Sequence, residues 1–223
     1  MPSTDPAPDA ERPKRTRRRT GTYAAADERR RKIAETAVAH FAEFGYYNTS
    51  MPKIAADVGI SHAGLLHHFS SKSDLLLAVL DTRETQAAEQ FYSHLDPEAP
   101  DPLELLRLTS RHVRFNTTQP GLIQMYAVLS AEASNPDHPA HAHFRERYQQ
   151  LTGFIARTLQ HGVAAGTLRA DTPCDDVARE ILAVADGYGV QFGLSDGGWD
   201  MAAAYHDYLD RLARRITTDG RGL

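Results

Sequence analysis

Cysteine is almost absent. The 223-residue chain has one, Cys174, so no intramolecular disulfide framework can form. A lone thiol fits a reducing compartment, and the cytoplasm is the expected location. No apolar run reaches the roughly eighteen residues that a membrane span needs, so no membrane is expected as a partner. The N-terminal stretch holds charge and proline where a secretory signal would hold an apolar segment. Sustained period-two alternation is missing too, which leaves helices to build the fold. There is no phosphate-cradling Walker loop and no Cys-x-x-Cys. Gly187-Tyr188-Gly189 lacks the strand and the third glycine of a dinucleotide loop, so no cofactor is implied.

Positive charge is scarce overall, with a net of −4, but it is unevenly placed. Residues 1–72 hold 12 Lys/Arg against 8 Asp/Glu, whereas residues 73–223 hold 13 against 21. A basic head on an acidic body suits a protein that meets a polyanion at one end only.

The stretch from Thr49 to Lys72 organises the rest. Ser50 caps a helix with Pro52 in its first turn, where a missing N–H costs nothing. Ile54, Ala55 and Val58 line one face, and Gly59 supplies the positive φ of a helix end. Ser61 caps a second short helix, because Ser70-Ser71 soon starts another cap. On a helical wheel Leu65 and Phe69 face inward; Ala63, Gly64 and His67 face out, with His62, Leu66 and His68 on the flanks. Two short helices around a glycine turn, the second with a polar outer face, form the helix-turn-helix plan that places a helix in the DNA major groove. An ordinary helical corner is the alternative.

Context favours DNA. Ile54, Ala55, Val58-Gly59-Ile60-Ser61, Ala63, Leu65-Leu66, His68-Phe69, Lys72 and Leu75 resemble the DNA-binding head of the TetR family of one-component regulators over about residues 27–80. The resemblance implies operator DNA as partner and a C-terminal body that senses a small molecule and dimerises. Two positions depart from the family pattern. Ala63 replaces its usual glycine, and Leu66 replaces a tyrosine that commonly touches phosphate. Leu66 cannot hydrogen-bond a phosphate, so His68, Tyr47 or Lys72 is expected to carry that contact, Lys72 from the first turn of the next helix.

The domains expected are a disordered basic arm over 1–23, a helix-turn-helix domain over 24–72 and a ligand-binding and dimerisation domain over 73–223. The arm lacks apolar periodicity and includes Arg15, Arg17 and Arg18, which can reach phosphates or the minor groove. Asp27 to Phe44 reads as a helix with Ile33, Ala37, Phe41 and Phe44 on one stripe, ended by Gly45. Beyond the capping box at Ser71, a long helix runs to about Leu95. Pro/Gly breaks then separate helices near Leu103–Thr118, Leu122–Ala133, Ala140–Ala165, Asp175–Leu194 and Trp199–Thr217, giving an all-α fold of about nine helices.

The DNA contacts expected are the arm arginines with Tyr47, Ser50, Ser61, His62, Ala63, Gly64, His67, His68 and Lys72. The resemblance implies an effector cavity, for which His112, Phe115, Asn116, Met125, Tyr126, Leu129, Tyr148 and Phe154 are the candidate lining. Two apolar lines are candidates for a two-fold seam: Ile181, Val184, Ala185, Tyr188, Gly189 and Phe192, then Tyr205, Leu209, Leu212 and Ile216. His138, His141 and His143 do not give the i, i+4 pair that puts two metal ligands on one helix face, and no metal is expected. The chain therefore reads as a dimeric regulator, a repressor released from DNA by a small molecule. The alternatives are a regulator without such control and an all-α enzyme using the histidines.

Six Lys/Arg lie between Arg12 and Arg19. Each phosphate neutralised adds roughly 0.9 to the salt slope of binding. Deleting residues 1–20 should weaken DNA binding and flatten log K against log salt by about one unit or more. An unchanged slope would show the arm to be idle.

Overall fold

In the computed structural model, residues 19–96, 98–195 and 198–223 are described, without the side chains of 19–27. The described residues form nine α-helices and no strand, with one isolated bridge pairing Leu168 and Thr217. The helices are α1 (Arg19–Asn48), α2 (Met51–Val58), α3 (His62–His68), α4 (Lys72–Ala87), α5 (Pro102–Thr117), α6 (Pro120–Glu132), α7 (His141–Ala164), α8 (Cys174–Gly193) and α9 (Met201–Ile216). From α5 onward each boundary lies within two residues of its sequence expectation, because proline and acidic caps mark the starts. Asp101 accepts the Leu103 N–H at 2.9 Å and Asp200 accepts that of Ala203 at 2.9 Å.

The long fourth helix continues past Ala87 as a π-helical turn, Ala88–Tyr92. Such a turn widens the helix by one residue and redirects its side chains. Here it brings Phe91 and Tyr92 onto His112 of α5.

Two apolar cores form. The first joins Ile33, Ala37 and Phe41 of α1, Ile54 and Val58 of α2, and Leu65 and Phe69 to Leu75, Leu76, Val79 and Leu80 of α4. It does not stop at Lys72: Met125, Leu129, Ala133 and Phe144 belong to it, so α6 and α7 reach up into the head. Phe44 departs from its expected stripe. It is 36% exposed, and its ring lies against His40 and under the Lys53 ammonium.

The second core corrects the expected seam. Tyr205 and Leu209 are fully buried, Leu212 is 2% exposed and Ile216 3%, all inside the subunit's own body. Tyr205 also donates its hydroxyl to the Ile181 carbonyl at 3.0 Å, tying α9 to α8. Ile181 is buried in the same core, and Val184, Ala185, Tyr188 and Phe192 pack half-buried against it. Gly189 does permit a close approach, but to Ile123 of α6, whose Cγ2 would lie 3.3 Å from an added Cβ. Helical spacing shows that a face is buried; it cannot show whether the covering helix belongs to the same chain.

Leu209→Ala should therefore cost about 2–5 kcal/mol in denaturant unfolding, as for a buried leucine truncated in a packed core. A variant as stable as the parent would return this line of α9 to the surface.

Candidate nucleic-acid interface

The head is built so that α3 shows its polar face. The Ser61 hydroxyl accepts the Gly64 N–H at 3.0 Å, and Leu65 and Phe69 anchor the helix from beneath. Arg30 reinforces the anchor, with its guanidinium carbon 4.3 Å from the Phe69 ring centroid and a 3.0 Å hydrogen bond to the His68 carbonyl. Ser61, His62, Ala63, Leu66 and His67 are left exposed, and Gly64 and His68 are half-exposed. Burial, together with charge from His67, Arg29 and Arg30, lowers the His68 pKa, which makes it a poorer cationic ligand for phosphate.

The connection from α1 to α2 rests on Gly45, with φ 67° and ψ −174°, inside the span of α1. Past this kink the chain turns, and Thr49 Oγ1 donates to the Gly45 carbonyl at 2.6 Å. Lys72 then reaches back from α4. Its ammonium donates to the carbonyls of Tyr46 (2.7 Å), Tyr47 (3.1 Å) and Thr49 (2.9 Å), and lies 4.5 Å from the Tyr46 ring centroid.

All three donors of Lys72 are thus committed, so it is a clamp between α4 and the end of α1 and not a free phosphate ligand. Burial lowers its pKa, against the opposing charge of Glu132. Tyr46 packs and donates or accepts at Ser73 Oγ (2.8 Å), whereas Tyr47 stays 55% exposed. Ser50 precedes α2 without capping it by its side chain, contrary to expectation; the first-turn bond runs from the Ile54 N–H to its carbonyl at 3.1 Å. Ser50 is half-buried, whereas Lys53, a cation that the sequence pattern did not single out, is exposed. Arg15, Arg17 and Arg18 lie outside the described residues. Arg19 to Tyr23, placed in the arm from sequence, belong to α1.

In the body, the expected cavity lining is divided. Met125 and Leu129 are fully buried in the core shared with the head. Phe154 packs half-buried on the second core. Phe115 is 38% exposed beside Phe91, and Asn116 is half-buried, its carbonyl accepting the Gln119 N–H at 2.8 Å. His112, Tyr126 and Tyr148 do meet other polar groups. Tyr92 Oη is 3.1 Å from His112 Nδ1, and burial pushes the imidazole down to about 4, so it is neutral at pH 7. Arg147 lies between the Tyr126 and Tyr148 rings, 5.1 and 5.8 Å from their centroids, and pairs with Glu84 of α4 at 2.9 Å. Tyr148 donates to Asp186 of α8 at 2.8 Å. Glu84 and Tyr92 on α4 and its π-helical turn, Arg147 on α7 and Asp186 on α8 come from three separate places in the sequence, and no local pattern announces them.

The three histidines near residue 140 part ways. His138 stands edge-on to Tyr46 and Tyr47, His141 Nδ1 lies 2.8 Å from the Ala133 carbonyl, and His143 bridges Asp81 and Glu84. Among the described residues no group of three His, Cys, Asp or Glu side chains is arranged to hold a metal ion. Gly193-Leu194-Ser195-Asp196-Gly197 does spell the Gly-x-Ser-x-Gly of serine hydrolases. Yet it follows a helix and not a strand, and Ser195 Oγ is hydrogen-bonded to the Phe192 carbonyl at 2.8 Å.

Comparison with known proteins agrees with this geometry at both ends. Residues 33–79 match the family model for bacterial regulatory proteins of the tetR family, and residues 122–216 match the C-terminal model of BetI-type transcriptional repressors. The chain belongs to the TetR family of transcriptional regulators. A curated relative, the HTH-type transcriptional repressor AcnR of Corynebacterium diphtheriae, is 26% identical over 72% of this chain and 78% of its own length. A transcriptional regulator from Saccharomonospora viridis, solved in complex with choline, superposes with a TM-score of 0.70 at 25% identity, over 86% of this chain and 98% of that one. A TetR regulator from Chloroflexus aurantiacus shares the fold at a TM-score of 0.73 and 21% identity, covering 87% and 98% of the two chains. Among the described residues no helix of this TetR-family protein is long and apolar enough to cross a membrane.

His67→Ala should alter DNA affinity without lowering the melting temperature, whereas Phe69→Ala should cost about 3–5 kcal/mol as a buried aromatic. Calorimetry beside a binding titration checks the pair, and unfolding by His67→Ala would reverse the two faces of α3.

Proposed function

We propose that this regulator is a cytoplasmic repressor that binds operator DNA as a homodimer and leaves it when a small molecule enters the body. The observation that carries the reading is α3, a helix anchored by Leu65 and Phe69 with Ser61, His62, Ala63 and His67 turned to solvent. Base edges in a major groove are the natural complement of such a face. Exposed Tyr47 and Lys53, with half-buried Ser50, are the candidates to take phosphates in place of Lys72. Enzymatic use of the histidines finds no support, since they serve three unrelated contacts.

The effector region we infer is where α4, its π-helical turn, α5, α6, α7 and α8 meet: Tyr92, His112, Tyr126, Arg147, Tyr148 and Asp186. Aromatic faces with a few polar groups suit small-molecule recognition. The choline carried by the Saccharomonospora viridis regulator makes a small organic cation a reasonable first candidate, because tyrosine faces and a carboxylate attract one. Arg147 already lies on two of those faces and holds Glu84 of α4, so a ligand that moves it loosens α4 from α7. Release follows only if the ligand prefers the loosened arrangement.

One head offers a small interface, and a dimer can set two recognition helices roughly 34–36 Å apart for successive major grooves. With α9 turned inward, the candidate seam is the outer face of α8: Ala183, Gly187, Val190 and Leu194, all exposed. Val190 is 49% exposed and Leu194 80%, and an added Cβ at Gly187 would meet nothing within 4 Å. Small residues there let two backbones approach, as a self-complementary interface requires.

Val190→Glu with Leu194→Glu should yield monomers on sedimentation. Affinity for DNA selected by the parent from a random-sequence pool should fall with them, while helicity is kept. A double variant that stays dimeric would place the interface elsewhere.

A further inference from the structure

The carboxylate of Glu132 does more than end α6. Its Oε2 accepts the backbone N–H of Tyr46 at 2.7 Å, directly after the Gly45 kink, and lies 3.7 Å from Nε2 of buried His138. Its side chain fills the space over Gly45, so that any Cβ there would overlap Glu132. Glycine at 45 thus serves two needs, the left-handed φ and room for this carboxylate. On the other side of the same backbone, Lys72 gathers the carbonyls of Tyr46, Tyr47 and Thr49. One peptide segment is therefore held by an anion from the body and a cation from α4.

We infer that Glu132 is a positioning residue: it sets the orientation of the DNA-reading head on the body and carries displacements of α6 to it. Three features support this role. The α6 helix is a rigid rod of 13 residues, about 20 Å long, with Glu132 as its last residue. It is seated in both cores, by Ile123 in the body and by Met125 and Leu129 in the head. Its start at Pro120 directly follows the end of α5, which carries His112 and Phe115 of the aromatic group. A shift there moves a helix whose far end grips the head at a kink. The kink is also where α2 departs and where Lys72 attaches α4, so one carboxylate addresses three head helices.

This inference rests on the reading that the body governs the heads, and the test separates the two. In a Cys174→Ser background, spin labels are placed at Ala56→Cys on α2 and Gln150→Cys on α7, both exposed. Labelled chains are diluted with unlabelled protein, so that pulsed electron resonance reads the distance within one subunit. The parent should give one narrow distance. Glu132→Ala should broaden or shift it and weaken binding to the selected DNA about tenfold, the scale of losing a hydrogen bond to a charged group. Glu132→Gln, whose amide oxygen can still accept from Tyr46, should keep the parental distance. Glu132→Asp, one methylene shorter, should shift it, and this pair decides the matter if the alanine variant does not fold. A parental distance in Glu132→Asp and in any folded Glu132→Ala overturns the proposal, even if melting temperature falls, because the carboxylate would then only cap the kink. Failure of the parent to select any DNA would instead sink the function proposed above and leave the distance measurement standing.

Discussion

The ammonium of Lys72 holding three backbone carbonyls is the contact on which the head depends. Backbone carbonyls left over at the end of a helix need partners, and the kink at Gly45 turns those of Tyr46, Tyr47 and Thr49 toward one point. A single cation with three donors satisfies them together and pulls the start of α4 onto the end of α1. The capped turn at Ser71, whose hydroxyl accepts the Asp74 N–H at 3.0 Å, holds Lys72 where this reach is possible. The recognition helix hangs between these fixed points, with Gly59 at φ 80° setting its departure from α2.

The head does not keep a private core. It shares one: Met125, Leu129, Ala133 and Phe144 extend the apolar cluster of α1 to α4 into α6 and α7. Small domains bury too little surface to stand alone with a large margin, and continuity with the body supplies the remainder. The same continuity means that the head cannot ignore the body. Any rearrangement of α6 is felt at Met125 and Leu129 as packing and at Glu132 as a hydrogen bond, because packed interiors transmit strain.

The body pairs this rigidity with a group of polar side chains that apolar packing alone does not require. Burial pushes the Tyr92 and Tyr126 hydroxyls up to about 12 and the His112 imidazole down to about 4, so all three stay uncharged at neutral pH. The charge nearby is Arg147, paired with Glu84, whose other neighbour His143 has its pKa raised by that carboxylate and by Asp81. Glu84 sits on α4, so the helix that begins at the Lys72 clamp ends in ionic contacts with Arg147 and His143 of α7. Head and body are thereby joined twice, through α4 and through α6.

Local chemistry was enough to place much of this in advance. The glycine turn, the serine caps at Ser61 and Ser71 and the inward pair Leu65 and Phe69 follow from spacing and backbone preference, which act within a few residues. Proline and glycine breaks likewise bracketed α5 to α9 to within two residues. Tertiary structure alone decided where faces and charges went. The apolar line of α9 had the right period for a seam and became the subunit's own core, because periodicity does not name a partner. Lys72 stood where a phosphate ligand would stand, until the Gly45 kink presented three carbonyls that bind it first. Met125 and Leu129, of types that suit a ligand cavity, were claimed by the head. Glu132, Arg147 and Asp186 carry no local signal at all, since their partners lie 86, 63 and 38 residues away and meet them only when helices pack.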